Sequence, residues 1–566
     1  MKSRLPPFHT ISGNISFKKD TVPQEGSRIY MIPLLLILLI SILFVRLFQL
    51  TIVKGAYYRF AAENNRIREV YSEGNRGTIY DRKGYVLAYS KSDTQEKNGV
   101  ETFKRMYNDQ SALAHVIGYR SIASEKDIKN DLCKEPLRLN DKVGVKGVEA
   151  LYECHLRAEK GKKLVEVDAV GKYTKTLSMI PPISGKPIKL SIDVELQNKA
   201  LEIIEQNQIT TSVEVDLRDK NIAIIATQPD TGEVLMMLSY PTFDPVAFEE
   251  GNKELTQQYF KDKRKPLFNR VLQGTYPPGS IFKPIVAAGA LEESVLDPSD
   301  IYVDVGFIEA GPIKFNNWYY RQYGRVEGAV DMVRALKRST DTYFYKAGEK
   351  LTAEKIKVWA ERFGLGKHTG IEFDEKTGVV PSDFWKREII GDRWFLGDTY
   401  NLSIGQGYLL TTPLQMNLAT SVFANGGNLC KPQLLKLTAK HNQELLEDSQ
   451  PKCTSLNLSK KTLSTIREGM KQACESGGTG WPFFNFGVSD DGATSSADLK
   501  RIHVGCKTGT AEAPGADLPH AWFTIFAPFD KPEIALTVMV EESGEGSNIA
   551  APIAKEILKF YFERSE

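Results

Sequence analysis

The chain has 566 residues, 42% hydrophobic and 25% charged, with a formal net charge of +2. That length suits two or three domains, and the composition is that of a globular protein with a large core. The balanced charge, with no like-charged block and no basic stripe interleaved with aromatics, excludes an electrostatic nucleic-acid binder.

Met31 to Val53 reads MIPLLLILLISILFVRLFQLTIV. A run of about 20 apolar residues is what crossing a bilayer needs. Arg46, its one charge, lies near an end and can snorkel to the headgroups. No small-residue cleavage pattern follows, so the run reads as an uncleaved anchor over residues 29–53. The preceding tail, residues 1–28, carries Lys2, Arg4, Lys18, Lys19 and Arg28 against Asp20 and Glu25. By the positive-inside rule the tail stays in the cytoplasm and everything after residue 53 lies outside, although Lys54 and Arg59 weaken the bias. The six cysteines form no CxxC pair, and the seven histidines no HExxH. No metal or cofactor is expected. Disulfides are compatible with an extracytoplasmic location, but spacing does not give their pairing.

Residues 54–188 are polar and broken by turns, and read as a first extracytoplasmic region. Pro187 to Asp193 alternates like a strand, and Val194 to Gln206 follows as a helix. Asn221–Thr227 and Val234–Ser239 flank the turn residues Pro229-Asp-Thr-Gly232, which predicts a hairpin. A mostly helical stretch is expected from about Ser280 to Met470. Arg501–Lys507, Ala521–Phe526 and Ile534–Glu541 read as further strands, and Ala550–Glu563 as a closing amphipathic helix. Strands at both ends with helices between predict an α+β domain over residues 189–566, an antiparallel sheet sandwiched by helices.

Three short patterns carry chemistry. Ser280-Ile-Phe-Lys283 follows Tyr276-Pro-Pro-Gly279 and opens an apolar helix, expected to begin at about Ser280. Residues three apart share a helix face, so Lys283 is expected beside the Ser280 hydroxyl. A serine needs such a base to become a nucleophile, and a lysine can take its proton if desolvation or nearby positive charge lowers the lysine pKa. Ser16-Phe-Lys-Lys19 is a second copy, in the predicted tail. Lys507-Thr-Gly509, followed by Thr510, ends an alternating strand. Its lysine supplies positive charge, its threonine a hydroxyl for a substrate carboxylate, and its glycine room for a substrate backbone. The amides of Ser280 and Thr510 could then form an oxyanion hole. Lys376-Thr-Gly378 repeats the tripeptide in what reads as a loop. Ser339-Thr-Asp341 is the third pattern, singled out only by its place between the other two.

S-x-x-K, S-D-N and K-T-G are the set used by penicillin-binding proteins and class A β-lactamases, and the order and separations here resemble it, with Ser339-Thr-Asp341 carrying aspartate third. The chain resembles the class B penicillin-binding transpeptidases, and most of all the elongation-type penicillin-binding protein 2. Arg76-Gly-Thr-Ile-Tyr-Asp-Arg82, Gly147-Val-Glu-Ala-Leu-Tyr152, Asp168-Ala-Val-Gly171, Gln228–Glu233, Ser403-Ile-Gly-Gln-Gly-Tyr408 and Thr412–Gln415 look like family landmarks. Aspartate at 341, Gly397-Asp-Thr-Tyr-Asn401 and His520-Ala-Trp-Phe523 resemble the elongation type. The resemblance implies a pedestal over 54–188, a transpeptidase domain over 189–566, and a periplasmic location on the bacterial inner membrane. It implies catalytic roles for Ser280, Lys283, Ser339, Asp341 and Lys507, and substrate-binding roles for Thr508, Gly509 and Thr510. The implied partners are stem peptides ending in D-Ala-D-Ala, β-lactams as inhibitors, and a SEDS-family glycosyltransferase with other cell-wall proteins. Arg76, Asp81 and Arg82 read either as docking residues or as a pedestal ion-pair cluster. Division-type transpeptidase, D,D-carboxypeptidase, β-lactamase or β-lactam sensor, and scaffold remain alternatives. No ExxLN-type loop of a β-lactamase is present.

Overall fold

The computed structural model describes residues 28–564 apart from 98–99, 169, 210, 212, 437–449, 490–498 and 514. Ser16–Lys19 lies outside the described residues. Packing divides the chain into two units, Met1–Val70 with Lys163–Met179, and Tyr71–Lys162 with Ile180–Glu566. This differs from the sequence-based division at 188/189.

In the first unit, α1 (Arg28–Phe48) continues through a π-type turn at Gln49–Val53. Tyr30–Val53 is long and apolar enough to cross a membrane, and its residues are almost all exposed. With no protein around it, such a surface is compatible with lipid and not with water.

The second unit is organised by one five-stranded sheet. Its strands are β1 (Ile222–Thr227), β2 (Val234–Tyr240), β3 (Gly505–Ala511), β4 (His520–Ala527) and β5 (Ile534–Val540), in the spatial order β2-β1-β5-β4-β3. All neighbours are antiparallel. The expected hairpin and terminal strands are therefore present, although the strand expected over Arg501–Lys507 starts only at Gly505.

Side chains alternate between the two faces, as period-2 geometry requires. Ala223, Ile225, Met237, Trp522, Phe526 and Met539 join one core. Ile222, Ile224, Leu238, Phe523, Ile525, Leu536 and Val538 join the other. The first core contains residues of the fully buried helix α3 (Pro413–Ala424). The second contains α2 (Val194–Glu205) and the predicted α5 (Ala550–Glu563). Both faces are covered, which makes the sandwich expected from sequence.

The stretch from 280 to 470 is less helical than expected. Short strand pairs interrupt it at Tyr302–Asp304 with Gly328–Val330, and at Phe307–Ala310 with Ile313–Asn316. The strand read over Pro187–Asp193 shrinks to Ile188–Lys189, paired in parallel with Ile79–Tyr80.

Strand β3 is the free edge of the sheet. It is closed off by α4 (Lys460–Ala473), by the turn that carries Ser280, and by a disulfide between Cys474 and Cys506. Cys133–Cys154 and Cys430–Cys453 are also bonded. The Cys474–Cys506 bond closes a separation of 32 residues. Removing it as Cys474→Ser/Cys506→Ser should cost about 3–4 kcal/mol on loop-entropy grounds. A thermal melt should show the variant unfolding earlier, and an unchanged melting temperature would refute the staple.

Candidate active site

The turn that carries Ser280 is built by its prolines and glycine. Tyr276 N donates to Thr411 O (2.9 Å), with the reverse bond at the same length, which fixes the entry. Gly279 sits at φ +57°, where a side chain is strained, and donates to Gly405 O (2.8 Å). A 3₁₀ turn at Gly279–Phe282 carries Ser280, and the α-helix begins only at Lys283 (Lys283–Glu292). The helix thus starts one turn later than read from sequence. Pro284 occupies its first turn, where a missing N–H costs nothing. Lys283 to Ala290 are all buried, as expected of an apolar helix.

Strand β3 lies against this turn. A Cβ on Gly509 would stand 3.0 Å from Pro278 O and 3.1 Å from Ile281 Cγ2, and one on Gly279 would stand 3.0 Å from Thr510 O. Gly509 therefore gives its room to that turn in the folded chain. Ser280 and Thr510 are the partly exposed residues of this contact, while Lys507, Thr508 and Gly509 are buried.

The third pattern completes the site. Ser339 follows the helix Met332–Arg338 in the left-handed region (φ +54°), and Asp341 opens the helix Asp341–Leu351. Lys283 Nζ donates to Asp341 Oδ1 (2.6 Å), Ser339 O (2.7 Å) and Ser339 Oγ (3.2 Å). Lys507 Nζ donates to Ser339 Oγ (2.8 Å) and Thr508 O (3.1 Å). One serine hydroxyl therefore touches both amines. All three patterns meet, but Lys283 is engaged by Ser339 and Asp341, whereas Ser280 Oγ makes no hydrogen bond among the described residues. Lys376-Thr-Gly378 lies in a loop with Gly378 against Leu410, and no hydrogen bond joins it to this cluster among the described residues.

Both amines are fully buried. Burial lowers the Lys283 pKa, and the Asp341 carboxylate opposes that shift. Burial drives Lys507 well below its ordinary value, with repulsion from Lys283 adding to it and Asp341 opposing. The dry cleft thus favours fewer protons on the pair than water would.

Four residues of the site carried no signal as site residues in the sequence. Asn317 Oδ1 accepts Asp341 N (3.1 Å), and Trp318 N donates to Asp341 Oδ2 (2.8 Å). Thr508 Oγ1 donates to Thr479 Oγ1 (2.8 Å), and Gln406 Nε2 to Thr510 O (3.3 Å). Only Gln406 lay in a sequence landmark, Ser403–Tyr408, where its glycines could have marked a close backbone approach.

The geometry defines a class: a serine on a helix-opening turn, two buried lysines and a K-T-G edge strand on an antiparallel sheet. The penicillin binding protein transpeptidase domain model matches residues 222–559, and the penicillin-binding protein dimerisation domain model matches 98–190. The chain belongs to the class B penicillin-binding transpeptidases, of the penicillin-binding protein 2 type. It is 32% identical to the peptidoglycan D,D-transpeptidase MrdA of Salmonella typhimurium, over 81% of this chain and 73% of that protein. Its fold matches Pseudomonas aeruginosa PBP2 in complex with WCK 5153 (TM-score 0.70, 30% identity, 88% of this chain, 97% of that one). It also matches Helicobacter pylori PBP2 in its complex with MreC (TM-score 0.70, 26% identity, 88% and 99%). With its apolar helix, the chain is a single-pass membrane protein.

The depressed Lys507 pKa makes a stability prediction. Between its folded pKa and its ordinary value of 10.5 the unfolded state binds more protons than the folded one, so this lysine's contribution to stability rises with pH. Lys507→Met removes that slope. The melting-temperature difference should favour the variant most near pH 7 and shrink as pH approaches 10. A pH-independent difference would contradict a depressed Lys507.

Proposed function

We propose that the protein is a serine-type peptidoglycan D,D-transpeptidase that acts in cell elongation, with Ser280 as nucleophile. The observation that carries this reading is the Ser339 hydroxyl bridging Lys283 and Lys507, with Ser280 on the adjoining turn. The MrdA relatives and PBP2 neighbours support the substrate class and the elongation role.

The donor is a stem peptide ending in D-Ala-D-Ala. Lys507 and Thr508 receive its terminal carboxylate. That negative charge raises the proton affinity of Lys507, which takes the Ser339 hydroxyl proton while Ser339 takes one from Lys283. Lys283 is left neutral and able to accept the Ser280 proton. Ser280 Oγ bonds to the penultimate carbonyl carbon, and its oxyanion sits between the Ser280 and Thr510 amides. Gly509 leaves the backbone room that the approach needs. The C–N bond to the terminal D-alanine breaks, and the leaving amine takes a proton relayed through Ser339. An amine of a neighbouring stem then attacks the ester carbonyl, and Ser280 regains its proton as the cross-link forms. Asp341 holds Lys283 in place. Losing one oxyanion donor typically costs about 3 kcal/mol of barrier.

The tail, residues 1–28, lies in the cytoplasm and the catalytic domain in the periplasm. Residues 54–188 serve as the pedestal that meets cell-wall synthesis partners, a SEDS-family glycosyltransferase among them.

A fluorescent penicillin should form a stable adduct on the full chain, and peptide mapping should locate it on Ser280. Ser280→Ala should lose the adduct while keeping its melting temperature. Incubation with pentapeptide substrate should yield cross-linked dimers. Trimmed monomers alone would make it a carboxypeptidase, and turnover of the penicillin without an adduct a β-lactamase.

A further inference from the structure

Behind Asp341 lies a buried polar relay that the proposed chemistry does not use. It starts at Asp304, the last residue of the strand Tyr302–Asp304, which is 1% exposed. Asp304 Oδ1 accepts Gly306 N (2.9 Å) and Thr342 Oγ1 (2.7 Å). Its Oδ2 accepts Asn317 Nδ2 (3.0 Å) and Glu327 N (2.8 Å). Four donors meet the four lone-pair sites of one carboxylate. No ion pair to Asp304 exists among the described residues.

The next link is Asn317, which is fully buried. A carboxylate only accepts, so Asp304 selects the amide orientation that points Nδ2 towards it. That leaves Asn317 Oδ1 facing the opposite way, where it accepts Asp341 N (3.1 Å). Trp318, the next residue, donates its N–H to Asp341 Oδ2 (2.8 Å). Asp341 Oδ1 is thereby left for Lys283 (2.6 Å). Two consecutive residues thus hang on Asp304, Thr342 directly and Asp341 through Asn317. If the Asn317 amide turned over, two donors would face each other across a buried contact, an arrangement that costs as much as losing the bond.

We propose that Asp304 and Asn317 are positioning residues for the acyl transfer, acting through Asp341 to set where Lys283 stands and how firmly it holds its proton. They touch neither Ser280 nor Lys507. Lys283 is faced by Asp341 from the helix Asp341–Leu351 and by Lys507 from β3, with the Phe344 ring 5.4 Å away. Asp341 is also faced by Tyr345. Asp341 is the group among these that favours the ammonium form of Lys283. Loosening it lowers the proton affinity of Lys283, so the acidic limb of the acylation profile moves to lower pH while misplacement of the amine lowers the plateau.

The inference rests on the proposed acylation of Ser280. Its test is the second-order rate of adduct formation with fluorescent penicillin on the full chain, from pH 5 to 10, alongside melting temperatures. Asp304→Asn should lower the plateau by roughly tenfold to a hundredfold and shift the acidic limb down by about one pH unit. Asn317→Ser should do the same, and stands in if Asp304→Asn does not fold. Asp341→Asn should shift the limb in the same direction. The double variant Asp304→Asn/Asp341→Asn should shift it no further, because both changes act through one contact. A folded relay variant whose limb stays at the wild-type position overturns the proposal, as does an additive double variant; either result leaves acylation of Ser280 standing. Wild-type protein that forms no adduct removes the proposed function itself, and this inference with it.

Discussion

Two lysine amines are buried around a single serine hydroxyl, with one carboxylate facing them, and the rest of the site is arranged to sustain that. Removing an ammonium from water is costly unless it is paired or gives up its proton. Here the cost is met partly by Asp341 and partly by the lowered proton affinity of both amines. Each group sits on a separate rigid element: Lys283 on the first turn of a buried helix, Lys507 on a strand, Ser339 in a left-handed turn, Asp341 at a helix start. Such placement holds groups to within the tolerance chemistry needs. It also explains why the free sheet edge is covered. An open β3 would admit water to Lys507, and the turn at Gly279–Phe282 together with α4 keeps it out.

What was legible in the sequence follows the range of the forces involved. The β-branched strands of the hairpin, the membrane run and the terminal helix Ala550–Glu563 depend on local periodicity, and they stand where the sequence placed them. Pro187–Asp193 alternates well, yet only Ile188–Lys189 forms a strand, because its pairing depends on Ile79–Tyr80 more than a hundred residues away. The short strands between 302 and 330 have too few residues to show a period. Within the site, the three patterns were readable as letters, but their meeting was not. The bonds from Asn317, Trp318 and Thr479 join residues whose spacing carries no helical or strand signature. The sequence also put Lys283 one turn from Ser280, but gave no sign that its amine would bond Ser339 and Asp341.

Two sequence landmarks turn out to be halves of one packing device. Arg76, 6% exposed, pairs with Glu149 and Glu153, both at 2.6 Å, and Glu149 also pairs with Arg105 (2.7 Å). The Arg76–Arg82 and Gly147–Tyr152 segments meet in that cluster. Asp81, also buried, accepts the backbone N–H groups of Lys83 and Tyr85, which shapes the turn after it. Arg76 therefore sits in an ion-pair cluster, and Asp81 shapes a turn. Breaking such a buried pair costs more than forming it gains, because a charge is left without a partner. The cluster thus fixes one arrangement of the segments it joins.

The aspartate at 341 gives this site an electrostatic balance that asparagine would not. With asparagine, two buried amines would face no compensating charge, and both would be driven towards the neutral form. With aspartate, Lys283 keeps its proton more firmly than Lys507 does, so the two amines are unequal before any ligand arrives. A carboxylate brought beside Lys507 would raise the proton affinity that burial and Lys283 lower there, and the Ser339 hydroxyl already joins the pair. In a site so arranged, a carboxylate set beside the amines would shift the balance between them, where a neutral group would not.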